Sequence, residues 1–359
     1  MGIGSCTLGY ADEDVNKAAK GAIDNGSMCT LNPTEDVELA ELLCKIHPWA
    51  DQVRYTRSGG EAMAVSIRLA RAKTEKDLVL FCGYHGWHDW YLAANLSKED
   101  ALVGHLLPGL NPLGVPKVLR DTAFPFQYNN TEEFLSLIKK YKGKVGAVVV
   151  ETIRNMYPND EFFETIRNVC NDEGIVLIFD ECTSGFRLNG GGAHMKFGFE
   201  PDIAMFAKAM TNGYPMSAII GKEKNMSIAQ DTFVSSLYWT DKIGPAATIA
   251  SIKKIIEKDV PAYTDKLGKK MQNIWIDSAK RNDINISITG PVPQLSIFTF
   301  NYQNASAIKT LFNQEMLNKG FLTTTAFYPC YKHNNSHLEN YSSAIDDVFG
   351  KISIAIKNN

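Results

Sequence analysis

Three short apolar runs, each followed by a charged residue, constrain the fold of this chain more than any other feature. Residues 175–179 are all apolar and precede Asp180, and similar runs precede Glu151 and Lys208. Runs this short and this rich in β-branched residues are typical of strands buried on both faces. Glu151 lies 29 residues before Asp180, and Asp180 lies 28 before Lys208, about the length of one strand–helix–strand unit. The pattern predicts a mostly parallel sheet with these three side chains at one edge.

Charged side chains at such an edge indicate a ligand-binding site. In an open parallel sheet, ligands bind beyond the carboxyl ends of the strands. A lysine that meets two carboxylates there is suited to act as a Schiff-base nucleophile. Two simpler interpretations remain open: Asp180 caps the turn that follows it, and Lys208 is an ordinary solvated lysine.

The composition argues against several other classes of protein. Of the 359 residues, 45% are hydrophobic and 21% are charged, which is ordinary for a globular protein with a large core. The net charge of −3 offers no basic surface for nucleic acid or an anionic membrane. No apolar run approaches the roughly 20 residues that span a bilayer. The seven cysteines include no Cys-x-x-Cys pair, so we expect reduced thiols and a cytoplasmic protein.

A helix with a glycine-rich start follows a short strand predicted over residues 53–56. Ser58 and Glu61 have the spacing of a capping box, and Gly59 and Gly60 lie between them. Glycines leave the first backbone N–H groups of a helix accessible, where the helix dipole favours an anion. We therefore expect a phosphate-binding site here. The alternative is an ordinary capped helix.

An aromatic-rich loop follows the predicted strand at residues 78–82. Tyr84, His85 and His88 lie in this loop, after Gly83. Crowded aromatic side chains at a strand end predict a surface on which a flat ligand stacks, although aromatic residues also bury area against a core. The His85-x-x-His88 spacing lacks the further ligands that a metal site needs, so no metal is expected.

The chain is predicted to form a large domain and a smaller one. Residues 31–255 contain the strand ends and form the large domain. Residues 256–359 form a smaller C-terminal α/β domain, with a strand over 295–300 and helices over about 305–318 and 343–356. Residues 1–30 are expected to be associated with the smaller domain. The segment 95–125 is rich in Gly and Pro, and connections of that length are usually functional.

Six short motifs occur in one order along the chain, at residues 58–62, 83–86, 151, 180–187, 208 and 240–245. Together they resemble the class III aminotransferases and are most similar to the branch that contains glutamate-1-semialdehyde 2,1-aminomutase. The resemblance extends from about residue 3 to residue 255. It implies a fold-type I α/β enzyme that uses pyridoxal 5′-phosphate (PLP), with the large domain binding the cofactor.

The resemblance also implies roles for the residues at the sheet edge and at the helix start. Lys208 would form the internal aldimine with PLP and move a proton between the substrate carbon and the cofactor. Asp180 would face the pyridine nitrogen and keep it protonated. Ser58, with the backbone of Gly59 and Gly60, would hold the phosphate.

Further residues would surround the cofactor ring. Tyr84 would stack on one face and Cys182 would pack against the other, and His85 belongs to the same cofactor-binding set. Glu151 would lie near the bound substrate and the phenolic oxygen of PLP, as would Asn155.

Thr240 carries an implication about assembly. In this family the corresponding position contacts the phosphate of the neighbouring subunit's cofactor. The resemblance therefore implies a homodimer with shared active sites.

Three departures from the family pattern concern substrate recognition. No arginine occurs after Arg281, whereas many class III aminotransferases use a C-terminal arginine to bind the α-carboxylate of the amino donor. Thr152 stands where relatives commonly have proline, and Tyr328 where the aminomutase branch tends to have glutamate. The chain also begins where relatives have an earlier segment that helps to bind the substrate carboxylate. We therefore expect intact cofactor chemistry with an altered substrate.

The function expected from these features is PLP-dependent amino transfer. An amino donor would supply the amino group, and a ketone or aldehyde carbon of a small metabolite or sugar-like precursor would accept it. The alternative is a glutamate-1-semialdehyde-type 2,1-aminomutase, and decarboxylation or racemisation on the same cofactor also remains open. A PLP-fold protein that binds without turnover is a further alternative, which the presence of Lys208, Asp180 and Glu151 disfavours.

Overall fold

The computed structural model describes residues 2–105, 109–153 and 156–358. Within these ranges the chain divides into two compact units. Residues 11–30 lie in the larger unit, although residues 1–30 are predicted above as one segment associated with the smaller domain. The described parts of the units are residues 11–153 and 158–253 for the larger one, and residues 2–10, 156–157 and 254–358 for the smaller one.

A seven-stranded sheet forms the centre of the larger unit in the described part of the chain. Its strands are β1 (Gln52–Thr56), β2 (Leu78–Cys82), β3 (Ala123–Pro125), β4 (Val145–Glu151), β5 (Val176–Asp180), β6 (Ile203–Phe206) and β7 (Ser217–Gly221). Their spatial order is β1-β7-β6-β5-β4-β2-β3. Strands β2 to β6 are mutually parallel, whereas β7 is antiparallel to β6 and β1 is antiparallel to β7. The predicted mostly parallel sheet is confirmed, and β4, β5 and β6 lie side by side.

Helices connect these strands and cover the sheet. Residues Ile67 and Leu69 of one helix share a core cluster with Val79 and Ile178 of the sheet. On the opposite face, Phe163 of another helix packs against Phe179, so the central strands are apolar on both faces. No helix within the described ranges combines the length and apolar content needed to cross a membrane. The α-helices from this part of the chain are α1 (Glu13–Asp24), α2 (Thr34–Ile46), α3 (Gly59–Thr74), α4 (Asp89–Leu92), α5 (Ala94–Ser97), α6 (Thr131–Lys140), α7 (Asp160–Glu173), α8 (Glu223–Met226) and α9 (Ile243–Glu257).

Two strands of the large sheet, β3 and β7, have no counterpart among the predicted elements. Strand β3 is three residues long and ends in Pro125, and it pairs with β2 at the end of the sheet. The segment 95–125, predicted as one long connection, therefore ends in a strand. Strands this short depend on pairing with a neighbour, which local sequence does not reveal.

The smaller unit contains an antiparallel sheet and three long helices in its described residues. The sheet has the order β10-β9-β8, and Trp275, Phe298, Phe312 and Phe349 lie in its apolar core. The last helix begins at Asn335, earlier than predicted, because Asn334 and His337 form a capping box there. The elements are α10 (Val260–Arg281), β8 (Ile286–Gly290), β9 (Ser296–Phe300), α11 (Ala305–Asn318), β10 (Ala326–Phe327) and α12 (Asn335–Lys357).

Candidate active site

The carboxyl ends of β4, β5 and β6 carry the three charged residues that the sequence singles out. Glu151 and Asp180 are the last residues of β4 and β5, and they are register partners across the parallel pair. Both side chains are 4% exposed. Lys208 follows closely after β6, whose Met205 is the register partner of Asp180. The structure therefore places the two carboxylates and the lysine at one edge of the sheet.

Asp180 forms hydrogen bonds with two groups of the site. Nδ1 of His85 lies 2.8 Å from Oδ2 of Asp180, and the backbone N–H of Cys182 donates to Oδ1 at 2.9 Å. Since a carboxylate only accepts, Nδ1 of His85 carries the proton. His85 is 2% exposed, and its Nε2 has no hydrogen-bond partner among the residues that the structure describes.

Glu151 is linked to the aromatic loop that follows β2. The backbone N–H of Tyr84 donates to Oε2 of Glu151 at 3.0 Å. Gly83 has a φ of 119°, and a Cβ at this position would lie 2.5 Å from Oε2 of Glu151. Only glycine permits both that backbone conformation and that close approach. The ring of Tyr84 meets Tyr91 edge-on, with ring centroids 5.8 Å apart.

The start of α3 has the capping box that the sequence predicts. Oγ of Ser58 accepts from the N–H of Glu61 at 3.3 Å, and Oε2 of Glu61 accepts from the N–H of Ser58 at 3.1 Å. Gly59 and Gly60 occupy the first turn, where an α-helix has no internal acceptor for its N–H groups. These N–H groups and the helix dipole suit an anion.

Close packing brings the start of α3 to the same edge as the strand ends. A Cβ on Gly59 would lie 3.1 Å from Sγ of Cys182 and 3.8 Å from Cβ of Ala207, the residue before Lys208. A Cβ on Gly60 would lie 2.6 Å from the ring of His88. The helix start, the loop after β5 and the loop after β6 therefore meet.

Lys208 adopts an uncommon backbone conformation and contacts a residue that the sequence analysis misses. Its φ of 49° lies in the left-handed region, which costs a non-glycine residue about 1 kcal/mol. Its Nζ donates to Oγ1 of Thr183 at 3.1 Å. Thr183 lies three residues after Asp180, and that position in the loop is the only sequence signal that could have drawn attention to it.

A buried polar network lies beside Asp180 and is likewise absent from the sequence analysis. Oε1 of Glu181 accepts from Nδ1 of His194 at 2.7 Å, and Oε2 accepts from Oγ of Ser184 at 2.5 Å. Nε1–H of Trp49 donates to Nε2 of His194 at 2.9 Å. Because Nε2 accepts from Trp49, Nδ1 is the nitrogen that donates to Glu181. Glu181, Ser184 and His194 have no exposed surface.

The network lowers the pKa of Glu181. Burial removes water and raises the pKa of the carboxyl, but the hydrogen bonds and the electrostatic attraction of His194, with the hydrogen bond from Ser184, outweigh that effect. The pKa of Glu181 therefore lies below the ordinary value of a glutamate side chain. A depressed carboxyl pKa contributes stability above the unfolded-state pKa, and this contribution disappears as the pH falls through the folded-state pKa.

Glu181→Gln is expected to lower the free energy of unfolding of the apo-protein by about 1–3 kcal/mol at pH 7, because it replaces charge-assisted hydrogen bonds with neutral ones. The difference from wild type should shrink below the ordinary glutamate pKa of about 4.3, where the unfolded state binds a proton that the native state does not. Urea unfolding at a series of pH values measures both effects. Glu164→Gln, on the exposed side of α7, is the control. A difference that stays constant from pH 7 to pH 3 would contradict the assigned ionisation.

Two predicted site residues are not placed with this group. Oγ1 of Thr240 donates to the carbonyl oxygens of Cys29 and Leu237, at 2.7 and 3.1 Å. Asn155 lies outside the described residues.

No metal site is evident around His85 and His88. In the described part of the chain, histidine, cysteine, aspartate and glutamate side chains form no cluster of three or more that could hold a metal ion. The ring of His88 stacks on Trp87 with ring centroids 4.6 Å apart.

The family model described as aminotransferase class III matches residues 1–331. The chain belongs to the class III aminotransferases. The resemblance drawn from the six motifs is confirmed, and the protein is a PLP-dependent aminotransferase or aminomutase.

Individual class III relatives cover almost the whole chain. The glutamate-1-semialdehyde 2,1-aminomutase of Nitrosopumilus maritimus is 30% identical, over 99% of this chain and 88% of the relative. The 2′-deamino-2′-hydroxyneamine transaminase of Streptomyces kanamyceticus is 26% identical, over 96% of this chain and 84% of the relative. The structure of the PLP internal aldimine form of FumI from Sphingopyxis sp. MTA144 has a TM-score of 0.87 at 23% identity, covering 97% of this chain and 82% of that one. The fold-type I architecture is confirmed.

The cofactor of this class III enzyme is PLP, and the residues at the sheet edge fit it. Its aldehyde needs an amine, which Lys208 offers beside Thr183. Its pyridine nitrogen needs an acceptor in order to stay protonated, and Asp180 is a buried carboxylate. Its phosphate needs N–H donors, and Gly59 and Gly60 offer theirs in the first turn of α3. The donor set therefore matches the three functional groups of PLP.

Proposed function

We propose that this protein is a PLP-dependent aminotransferase that moves an amino group from a small-molecule donor to a ketone or aldehyde carbon. The observation that carries the proposal is the arrangement of Lys208, Asp180 and Glu151 at the ends of three adjacent parallel strands. This arrangement supports the proposal together with the family assignment, because it offers an amine for the cofactor and two carboxylates beside it.

Lys208 is proposed to hold the cofactor and to move the proton. Its amine would attach PLP covalently. Once the amine of the substrate has displaced it, the Lys208 amine would take a proton from the substrate carbon and deliver it to the cofactor. The bound PLP supplies an electron sink for the negative charge that develops when that proton leaves. The backbone of Lys208 follows closely after β6, and this fixes the point from which its side chain extends into the site.

Asp180 and His85 are proposed to act on the ring nitrogen. The Asp180 carboxylate would keep a proton on that nitrogen through its negative charge. The hydrogen bond from Nδ1 of His85, at 2.8 Å, orients the carboxylate. A carboxylate that is already oriented needs no rearrangement during the reaction.

The remaining residues are proposed to position the cofactor and the substrate. Ser58 and the N–H groups of Gly59 and Gly60 would bind the phosphate. Tyr84 would stack on the ring and Cys182 would pack against the opposite face. Nearby, Glu151 is proposed to lie beside the phenolic oxygen of PLP and the substrate, and its hydrogen bond with the N–H of Tyr84 supports that position. Asn155 is a further candidate there on sequence grounds alone.

The proposed acceptor is a small metabolite or a sugar-like precursor. The absence of arginine after Arg281 supports a substrate that is not recognised through an α-carboxylate at that end of the chain. The relative named as a 2′-deamino-2′-hydroxyneamine transaminase supports a sugar-like acceptor.

A 2,1-aminomutase is the second candidate. The relative from Nitrosopumilus maritimus, 30% identical over 99% of this chain, favours it. An aminomutase exchanges the amino group between two carbons of one substrate skeleton, so it needs no external donor. Use of a separate donor therefore distinguishes the two functions.

The experiment that tests the proposal is a visible absorption spectrum of the purified protein with PLP, recorded before and after addition of L-glutamate or another amino acid. Bleaching of the cofactor band by an external amino acid, followed by its return with a carbonyl acceptor, is expected for an aminotransferase. Bleaching only by a diamine or an amino aldehyde would favour the aminomutase. A protein that binds PLP but responds to none of these compounds would contradict both candidates, and PLP without protein is the control.

We also propose a homodimer in which Thr240 faces the partner's cofactor phosphate. Leu237 and Tyr238, next to Thr240, are 71% and 66% exposed, which supports coverage of this surface by a second copy. Light scattering should give twice the mass of the 39.8 kDa chain. A monomer at micromolar concentration would contradict the proposal.

We further propose a cytoplasmic location. The seven cysteines are all free thiols, which supports a reducing compartment, and cell fractionation would test it.

A further inference from the structure

The contact between Lys208 and Thr183 has no role in the function proposed so far. Nζ of Lys208 donates to Oγ1 of Thr183 at 3.1 Å, and Thr183 is 7% exposed. A long lysine side chain loses considerable rotamer freedom when its amine is kept in one position. The hydroxyl of Thr183 is therefore a specific partner that compensates for that loss.

Thr183 is well suited to fix a position because its own loop is fixed. Nε of the buried Arg187 donates to the carbonyl oxygen of Thr183 at 3.0 Å. On either side, Cys182 donates its N–H to Asp180, and Ser184 donates its hydroxyl to Glu181. The β-branched side chain of threonine also has few χ1 rotamers. The hydroxyl therefore keeps its place when Lys208 moves.

A hydroxyl can serve both protonation states of a lysine amine. It accepts a hydrogen bond from the ammonium form, and it can donate its own proton to the lone pair of the neutral form. Carboxylates such as Asp180 can only accept. A proton-transferring lysine must be held in both states, because proton transfer requires the reacting atoms to be within hydrogen-bond reach.

We propose that Thr183 is the positioning residue that holds the amine of Lys208 whenever that amine is not attached to the cofactor. This role rests on the proposed function of Lys208 as the group that moves the proton. Thr183 acts through Lys208 and does not itself transfer the proton. Thr183 keeps the released amine of Lys208 facing the site, so that the side chain does not turn towards the solvent.

Chemical labelling of the apo-protein tests the contact without any turnover. Acetic anhydride is applied across a range of pH values, and the labelled fraction of the Lys208 peptide is measured by mass spectrometry. Thr183→Val removes the hydroxyl and keeps the branched shape, so Lys208 should be labelled at least about threefold faster at pH 7, because its amine is no longer held beside residue 183 and meets the reagent more often. Thr183→Ser retains a hydroxyl and should match wild type.

The matched control is Thr248→Val, which removes another buried hydroxyl, one that donates to the carbonyl oxygen of Gly244. It should leave the labelling of Lys208 unchanged. Identical labelling profiles for wild type and Thr183→Val would overturn the proposal. If Thr183→Val reduces the yield of folded protein, Thr183→Ala makes the same comparison, with the same result expected.

The holoenzyme provides a second readout. With a donor that bleaches the cofactor band, Thr183→Val should slow the bleaching roughly tenfold and increase the isotope effect of an α-deuterated donor, while Thr183→Ser restores both. An unchanged isotope effect together with weaker PLP binding would indicate a merely structural residue and overturn the proposal. If wild type shows no Lys208-dependent band, the proposed function fails, whereas the apo-protein labelling still decides whether Thr183 holds the amine.

Discussion

Lys208→Ala is expected to reduce the rate of amino transfer by about 10⁴-fold or more, because it removes both the covalent attachment and the proton-transferring group. The variant should still bind PLP, since the groups expected at its phosphate and at its ring nitrogen remain. Stopped-flow absorbance of the bound cofactor with a donor measures the loss. Borohydride reduction followed by peptide mass spectrometry should find the cofactor on the Lys208 peptide of wild type and on no peptide of the variant.

The control for this variant is Lys196→Ala, an exposed lysine of the larger unit. Its rate should stay within about twofold of wild type, as is usual for surface substitutions. Retention of more than about a tenth of the wild-type rate by Lys208→Ala would show that another group transfers the proton. Reduction that attaches the cofactor to a different lysine would have the same meaning.

Asp180→Asn is expected to lower the rate of amino transfer by about 10²–10³-fold, since the neutral amide cannot stabilise a proton on the ring nitrogen. Asparagine has nearly the same shape and still offers an oxygen to His85 or to the N–H of Cys182. The effect should therefore appear in the rate, with a smaller effect on thermal unfolding. Stopped-flow absorbance with the same donor measures it.

Reconstitution with N1-methylated PLP makes this test more specific. The methylated ring nitrogen keeps its positive charge without a carboxylate partner, so the modified cofactor should restore part of the rate of Asp180→Asn. Asp231→Asn, an exposed aspartate of the larger unit, is the control and should behave as wild type with unmodified PLP. A rate for Asp180→Asn within about threefold of wild type would contradict the role proposed for this carboxylate.

Much of the large sheet was predictable because its strands have a strong local signature. Strands β4, β5 and β6 are buried along their whole length, so each reads as a short apolar run. The regular spacing of their ends was enough to expect adjacent parallel strands. The capping box of Ser58 and Glu61 was predictable for the same reason, since all its hydrogen bonds are local.

Other features were not predictable because their signal is not local. Strand β3 is recognisable only through its pairing with β2. The contact between Thr183 and Lys208 joins residues 25 positions apart, and the one between Trp49 and His194 joins residues 145 apart. No periodicity or motif identifies such partners in a single sequence.

From the sequence alone, the three adjacent parallel strands β4, β5 and β6 and the charged residues that follow them could be predicted, and the six motifs indicated the class of chemistry. The strands were predictable because burial leaves an apolar pattern within a few residues. The contact of Lys208 with Thr183 and that of Asp180 with His85 became evident from the folded chain, because they arise where separate loops meet. The hydroxyl of Thr183 and the buried carboxylate of Glu181 acquire their roles through that proximity alone.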